Sequence, residues 1–118
     1  MQTEILEYFS KLTKAEIGQL PENGGFVLQM APSSSGTAYL DGSSDDNMSL
    51  LFLCKNKSQK EAITTLENVC NILTRNKRHS FGIYNIYVAT QPNYVEKAGE
   101  FWIYSCIINF KYHNKEVL

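Results

Sequence analysis

The residues with chemical potential in this sequence are two histidines, three cysteines and a short acidic run, and their spacing decides what they can do. His79 follows the basic residues Arg75, Lys77 and Arg78, and His113 stands alone. Neither has a second ligand at the spacing a zinc site needs, and HExxH is absent. Asp41, Asp45 and Asp46 share the run DGSSDDN, which lacks the alternating oxygen ligands and closing glutamate of a calcium loop and reads as a solvated turn. Cys54, Cys70 and Cys106 lie far apart inside apolar runs, and none belongs to a CxxC pair. They read as buried, reduced thiols of a protein that folds in cytoplasm. No GxSxG, phosphate-cradling loop or dinucleotide fingerprint is present, and Gly24-Gly25 reads as a turn. No metal, cofactor or catalytic constellation is expected, and the chain is not expected to be an enzyme.

Two further groups bear on binding. Arg75, Lys77, Arg78 and His79 close a helical pattern, where cations complement the exposed carbonyls and the negative end of the dipole. The alternative is contact with a partner or with passing DNA. Tyr84, Tyr87, Tyr104 and Tyr112 alternate within strand-like runs. Base stacking would call for interleaved basic residues, so these tyrosines read as core or subunit-interface packing. A formal net charge of −1 also argues against a dedicated nucleic-acid binder. A small nucleic-acid- or peptide-binding module using the basic helix end and the tyrosine-rich sheet is the second reading.

The elements that must position these groups are legible from hydrophobic period. Read at period two, Phe101–Tyr112 divides into Trp102, Tyr104, Cys106, Ile108, Phe110 and Tyr112, all apolar or aromatic, and Phe101, Ile103, Ser105, Ile107, Asn109 and Lys111, which turn polar toward the end. This predicts a long strand with one fully buried face. Met48–Lys55 is apolar on both faces, which predicts a central strand covered by a helix on one side and by something else, the first helix or a partner chain, on the other. Strands are also expected over Phe26–Ala31, Thr37–Leu40 and Ile83–Thr90, the last closed by a turn at Gln91-Pro92-Asn93. PSSSG at 32–36 and GSSDDN at 42–47 are expected to be loops. Ile5, Leu6, Phe9 and Leu12 predict a helix over Thr3–Lys14, with Gly18 and Pro21 past its end. Ser58–Asn76 is a second helix, opened by a Ser58–Glu61 capping box and striped by Ala62, Ile63, Leu66, Val69, Cys70 and Leu73. His113–Leu118 is expected to fray.

At 118 residues and 43% hydrophobic content the chain is one domain with one core. The element order predicts an α+β fold: a mostly antiparallel or mixed sheet of about five strands with two helices packed on it. If Met48–Lys55 and Ile83–Thr90 run parallel, the helix between them makes a right-handed crossover. No apolar run reaches the roughly 20 residues of a membrane helix, and MQTEILEYFSKL lacks an export-signal pattern. The strands carry more apolar surface than a small monomer covers, which points to self-association.

The run YLDG at Tyr39–Gly42, followed by SLLFLCKNK and ITTLENVCNILTR, resembles the small minor capsid and tail-terminator proteins of tailed bacteriophages and prophages. IYVATQPNYVEKAGEFWIYSCIINFKY is similar to that family's strand, proline turn and final aromatic strand. The likeness covers Ala38–Tyr112 and includes no catalytic signature. It implies a virion protein at the head–tail junction, assembled in the bacterial cytoplasm into a ring, typically a hexamer. The implied partners are copies of itself, the tail-tube protein and a head-completion or connector protein, with DNA passing non-specifically and no membrane. On this reading Ser33, Ser34, Ser35, Asp45 and Asp46 meet the axial partners, and Arg75, Lys77 and Arg78 are further contacts. Phe101, Ile103 and Ile107 meet the neighbouring subunit or the first helix. Tyr39, Asp41 and Gly42 form a turn.

Overall fold

The computed structural model describes residues 2–31, 37–38, 44–75, 79 and 82–114. Helix α1 (Gln2–Thr13) leads to the short strand β1 (Glu16–Ile17) and then to β2 (Gly25–Ala31), β3 (Thr37–Ala38) and β4 (Ser44–Asn56). Helix α2 (Gln59–Arg75), β5 (Ile83–Ala98) and β6 (Phe101–Asn114) complete the order. Among the described residues the strands form one sheet in the order β1-β2-β4-β6-β5, with β3 paired to β4 off this path. β1 runs parallel to β2, and the other pairings are antiparallel. The fold is α+β with a mixed sheet and two helices, as the element order predicts.

β4 and β5 each run antiparallel to β6, so they point the same way and α2 crosses between them. They are not neighbours, because β6 is inserted between them. β6 is the axis of the sheet, pairing with β4 from Ser44↔Asn114 to Asn56↔Trp102. Its predicted buried set holds: Cys106 and Ile108 are fully enclosed, Tyr104, Phe110 and Tyr112 are buried, and Trp102 packs partly buried against the core.

Each helix forms for local reasons and docks by its stripe. In α1, Ile5 and Phe9 are fully buried while Glu4, Glu7 and Lys11 face out. The helix stops earlier than Gly18 suggests. Lys14 takes a left-handed φ of 68° and donates its N–H to Ser10 O at 2.8 Å, a C-terminal cap made without glycine. In α2 the cap is half the expected box: Glu61 N–H donates to Ser58 Oγ at 3.3 Å, but Ser58 N–H goes to Asn56 Oδ1 at 2.8 Å. Ala62, Leu66, Val69, Cys70 and Leu73 are the residues α2 buries.

Both helices lie on one face of the sheet. The core joins Ile5 and Phe9 of α1 and the α2 stripe to Leu28, Leu50, Phe52, Cys54, Cys106, Ile108 and Phe110, alternate residues of three strands. Phe9 meets Phe110 with ring centroids 5.2 Å apart. His79 ties the helices together. A carbonyl only accepts, so its Nε2 donates to Leu73 O (3.3 Å), while Nδ1 shares a hydrogen bond with the Tyr8 hydroxyl (2.8 Å).

Three expectations are corrected. The turn at Gln91-Pro92-Asn93 is absent; β5 continues through Pro92 to Ala98, paired with β6 across four register shifts. The loop at 42–47 gives way by Ser44, where β4 begins and pairs with β6. The first helix does not cover the second face of β4, since it shares the face occupied by α2. The 32–36 loop, residues 39–43 including Tyr39, Asp41 and Gly42, and residues 115–118 lie outside the described residues, whereas His113 and Asn114 belong to β6.

Candidate functional site

The second face of the sheet is built by the alternate positions of the same strands. Cross-strand register sets its rows: Val27 beside Leu53, Ser105 and Asn93; Gln29 beside Leu51, Ile107 and Thr90; Ser49 beside Asn109 and Tyr87. Lys55, Ile103 and Glu96 form the row at one end, and Lys111 with Tyr84 the row at the other. No described helix or strand packs over these rows. Val27 and Ile103 are buried, yet neither belongs to the core beneath the helices. Ser49 and Ser105 of the same face are buried as well. Leu51, Leu53 and Ile107 are half-buried in the middle of the face. The apolar second side of β4 is thus real, and among the described residues neither helix packs on it.

The polar groups of this face bond to one another. Ser49 Oγ donates to Asn109 Oδ1 at 2.6 Å, and Asn109 Nδ2 donates to the Tyr87 hydroxyl at 3.2 Å. Asn93 Nδ2 donates to Ser105 O at 3.1 Å, and Ser105 Oγ returns a bond to Asn93 Oδ1 at 3.3 Å. Gln29 Nε2 donates to Gly18 O at 2.8 Å. Because these groups are already satisfied within the chain, covering the face would leave few donors stranded, and the desolvation cost would be small.

The sheet's edges are guarded. β1 is two residues long. β5 is longer but carries Pro92, a positive φ of 54° at Asn85 and the four register shifts. Short edge strands, proline and bulges are devices that prevent strand-to-strand addition. Strand addition at β1 or β5 is thereby disfavoured.

The sequence-derived contacts distribute unevenly around this geometry. Ile107 sits in the open face and Phe101 is half-buried at its end, whereas Ile103 is only 6% exposed and contributes little free surface. Asp45 and Asp46 are strand residues opposite His113 and Tyr112, not loop residues. Arg75 is exposed on α2, in a cleft with Asn68, Asn71 and Ile72. Ser33, Ser34, Ser35, Lys77 and Arg78 lie outside the described residues. The tyrosines divide: Tyr104 and Tyr112 are core, while Tyr84 and Tyr87 are 40% and 49% exposed on the open face. Val27 was missed because FVLQMA is apolar on both faces and its short run does not show which residues the helices cover.

The thiols lie on the helix-covered side. Burial is the main cause that raises the Cys54, Cys70 and Cys106 thiols above their ordinary range, Cys106 most strongly. Neutral, enclosed thiols serve as packing groups. Among the described residues no three His, Cys, Asp or Glu side chains come together as a metal site, and no helix is long and apolar enough to cross a membrane. No protein-family model matches this chain, and no curated protein matches it either.

Proposed function

We propose that this chain is an assembly subunit that associates with copies of itself through the open face of its sheet, in the manner of the ring-forming minor capsid and tail-terminator proteins its Ala38–Tyr112 run resembles. The observation that carries this reading is the uncharged centre of that face, where Leu51, Leu53 and Ile107 are half-buried with no described element above them. The molecule measures 53 × 25 × 23 Å, so a broad face is large enough for the roughly 800 Å² per partner that a stable complex buries. A closed ring needs two different surfaces on each subunit. The outer side of α2, where Ile72 is 42% exposed beside Asn68, Asn71 and Arg75, is the second surface in this proposal. On the same reading the axial partners are the tail-tube protein and a head-completion or connector protein, and the work is geometric.

Light scattering coupled to gel filtration tests this across a concentration series, with electron microscopy of the largest species. Ile107→Asp is expected to yield a folded monomer, judged by an unchanged circular dichroism spectrum. A wild-type chain that stays monomeric throughout, or an Ile107→Asp chain with native mass in the oligomer, overturns the reading.

The exposure of Tyr84 and Tyr87 in the rows that end at Lys111 favours one second reading, a platform for single-stranded nucleic acid. It requires retention of an oligonucleotide at moderate salt, lost with a steep salt slope.

A further inference from the structure

At the end of the sheet where β2 begins and β4 finishes, Asn23, Gly24, Phe26, Lys55, Lys57 and Phe101 help to line an open cleft of about 420 Å³. Its walls are held close. Gly24 has a φ of 92°, and a Cβ there would stand 2.9 Å from Lys55 O and 3.1 Å from Phe101 Cε1, so the turn presses directly on the strand end and the ring. The lysine ammoniums of Lys55 and Lys57 sit 5.2 and 5.7 Å from the centroid of the Phe101 ring. The ring's negative face holds two like charges near one point.

Their carboxylate supply is short. Lys57 pairs with Glu100 at 3.2 Å, but both side chains are about two-thirds exposed, so the pair is weak and exchangeable. Lys55 has no ion pair among the described residues. Glu61, on the first turn of α2, is close enough to act on Cys54 but is not one of the lining residues. The cleft is therefore a preformed, cationic site with an apolar floor.

We propose that this cleft binds an acidic peptide segment of a partner protein, with one carboxylate received between Lys55 and Lys57 and the chain beside it lying along Phe101. The two lysines supply point charges for an anion, and two further features select the ligand class. The lining mixes Asn23, Asn56 and Thr65 with Phe26 and Phe101, which suits a peptide's alternating polar and apolar groups better than a bare ion. The volume accommodates a side chain with its adjoining backbone. The site is complete within one chain and does not depend on self-association.

The test is fluorescence anisotropy with a labelled, end-blocked hexaglutamate peptide and the full chain, with hexaglutamine as control. Binding of the glutamate peptide alone is expected. Lys55→Met, which keeps the aliphatic stem, is expected to weaken it about tenfold, the loss of one charge-assisted contact. Phe101→Leu should weaken it as well. Lys60→Met removes an exposed α2 lysine that does not line the cleft and should change affinity by less than about twofold. Thermal melts of each variant separate loss of binding from loss of fold. Absence of binding overturns the proposal, as does a loss in Lys60→Met equal to that in Lys55→Met, which would indicate bulk charge. Displacement of the peptide by inorganic phosphate or by a single-stranded oligonucleotide at similar concentration would reassign the cleft to a phosphate ligand. Lys55 and Phe101 also stand at the end of the open face, so the titration is repeated with Ile107→Asp, and binding by that variant separates the outcome of this proposal from that of the assembly reading.

Discussion

Gly24 and Gly99 show how far one residue's surroundings set the cost of changing it. Both have positive φ, 92° and 63°, so alanine is strained at either site. At Gly99 a new Cβ meets nothing within 4 Å, whereas at Gly24 it meets the Lys55 carbonyl and the Phe101 ring edge. Gly99→Ala is expected to cost about 1 kcal/mol, the backbone term alone. Gly24→Ala adds a collision with backbone, which cannot rotate away, and should cost about 2–3 kcal/mol. Urea unfolding of the two variants checks this, and equal losses would mean that the turn shifts to make room. Little of this was legible in the sequence. Gly24-Gly25 reads as a turn; the structure closes the turn at Gly24, whose N–H donates to Pro21 O at 3.4 Å, and begins β2 at Gly25. That the turn is pressed onto Phe101 depends on residues far apart in the chain. The cleft escaped sequence reasoning for the same reason: Lys55, Lys57 and Phe101 have no local spacing in common.

At the scale of elements, periodicity identified what each segment buries but not which layer it joins. The alternation of Phe101–Tyr112 and the stripe of α2 were readable because each pattern spans several turns or pleats. The amphipathic α1 was also readable, yet nothing in its own spacing states which face of the sheet it covers. The sequence predicts a shorter β5 because Gln91-Pro92-Asn93 has turn chemistry. Pairing with β6 overrides that preference, and a proline is tolerated at the outermost strand, where no second ladder needs the N–H it lacks. Likewise the polar Ser44–Asn47 becomes strand because Lys111–Asn114 lies opposite it. The α2–β6 contact carries its own prediction. All three thiols are enclosed between α2 and the sheet, and burial holds their protons to higher pH than in the unfolded chain. Above the ordinary thiol value of 9.0 the unfolded state binds fewer protons than the native one, so stability is full below that pH and falls above it. Each thiol contributes a slope of at most about 1.4 kcal/mol per pH unit. Urea midpoints at about pH 8 and about pH 10 should therefore fall less steeply in Cys106→Ala than in the wild type, lysine and tyrosine titration being common to both. Identical slopes would show that Cys106 does not retain its proton.

Over the whole molecule, shape and layering agree. The radius of gyration is 15.3 Å, against roughly 13.5 Å for a compact chain of this length. The excess accompanies an elongated form, 53 Å in its longest dimension, whose strands β5 and β6 are 16 and 14 residues long. In the proposed assembly, association through the open face involves the native state and not the unfolded one, so mass action adds stability as concentration rises. The urea midpoint of the wild-type chain should climb between about 1 and about 100 µM protein, by an amount that a hundredfold change in a simple dimer equilibrium sets at about 2.7 kcal/mol or less per association step. Ile107→Asp places a charge at the centre of the face, where no described partner can solvate it once covered, so its midpoint should not depend on concentration. It also disturbs little of the core, because Ile107 points away from both helices. At the lowest concentration the two chains should approach one another in stability. A wild-type midpoint that stays flat over the whole range would mean that the leucine-lined face is stable against water alone, and the need for a neighbour would disappear with it.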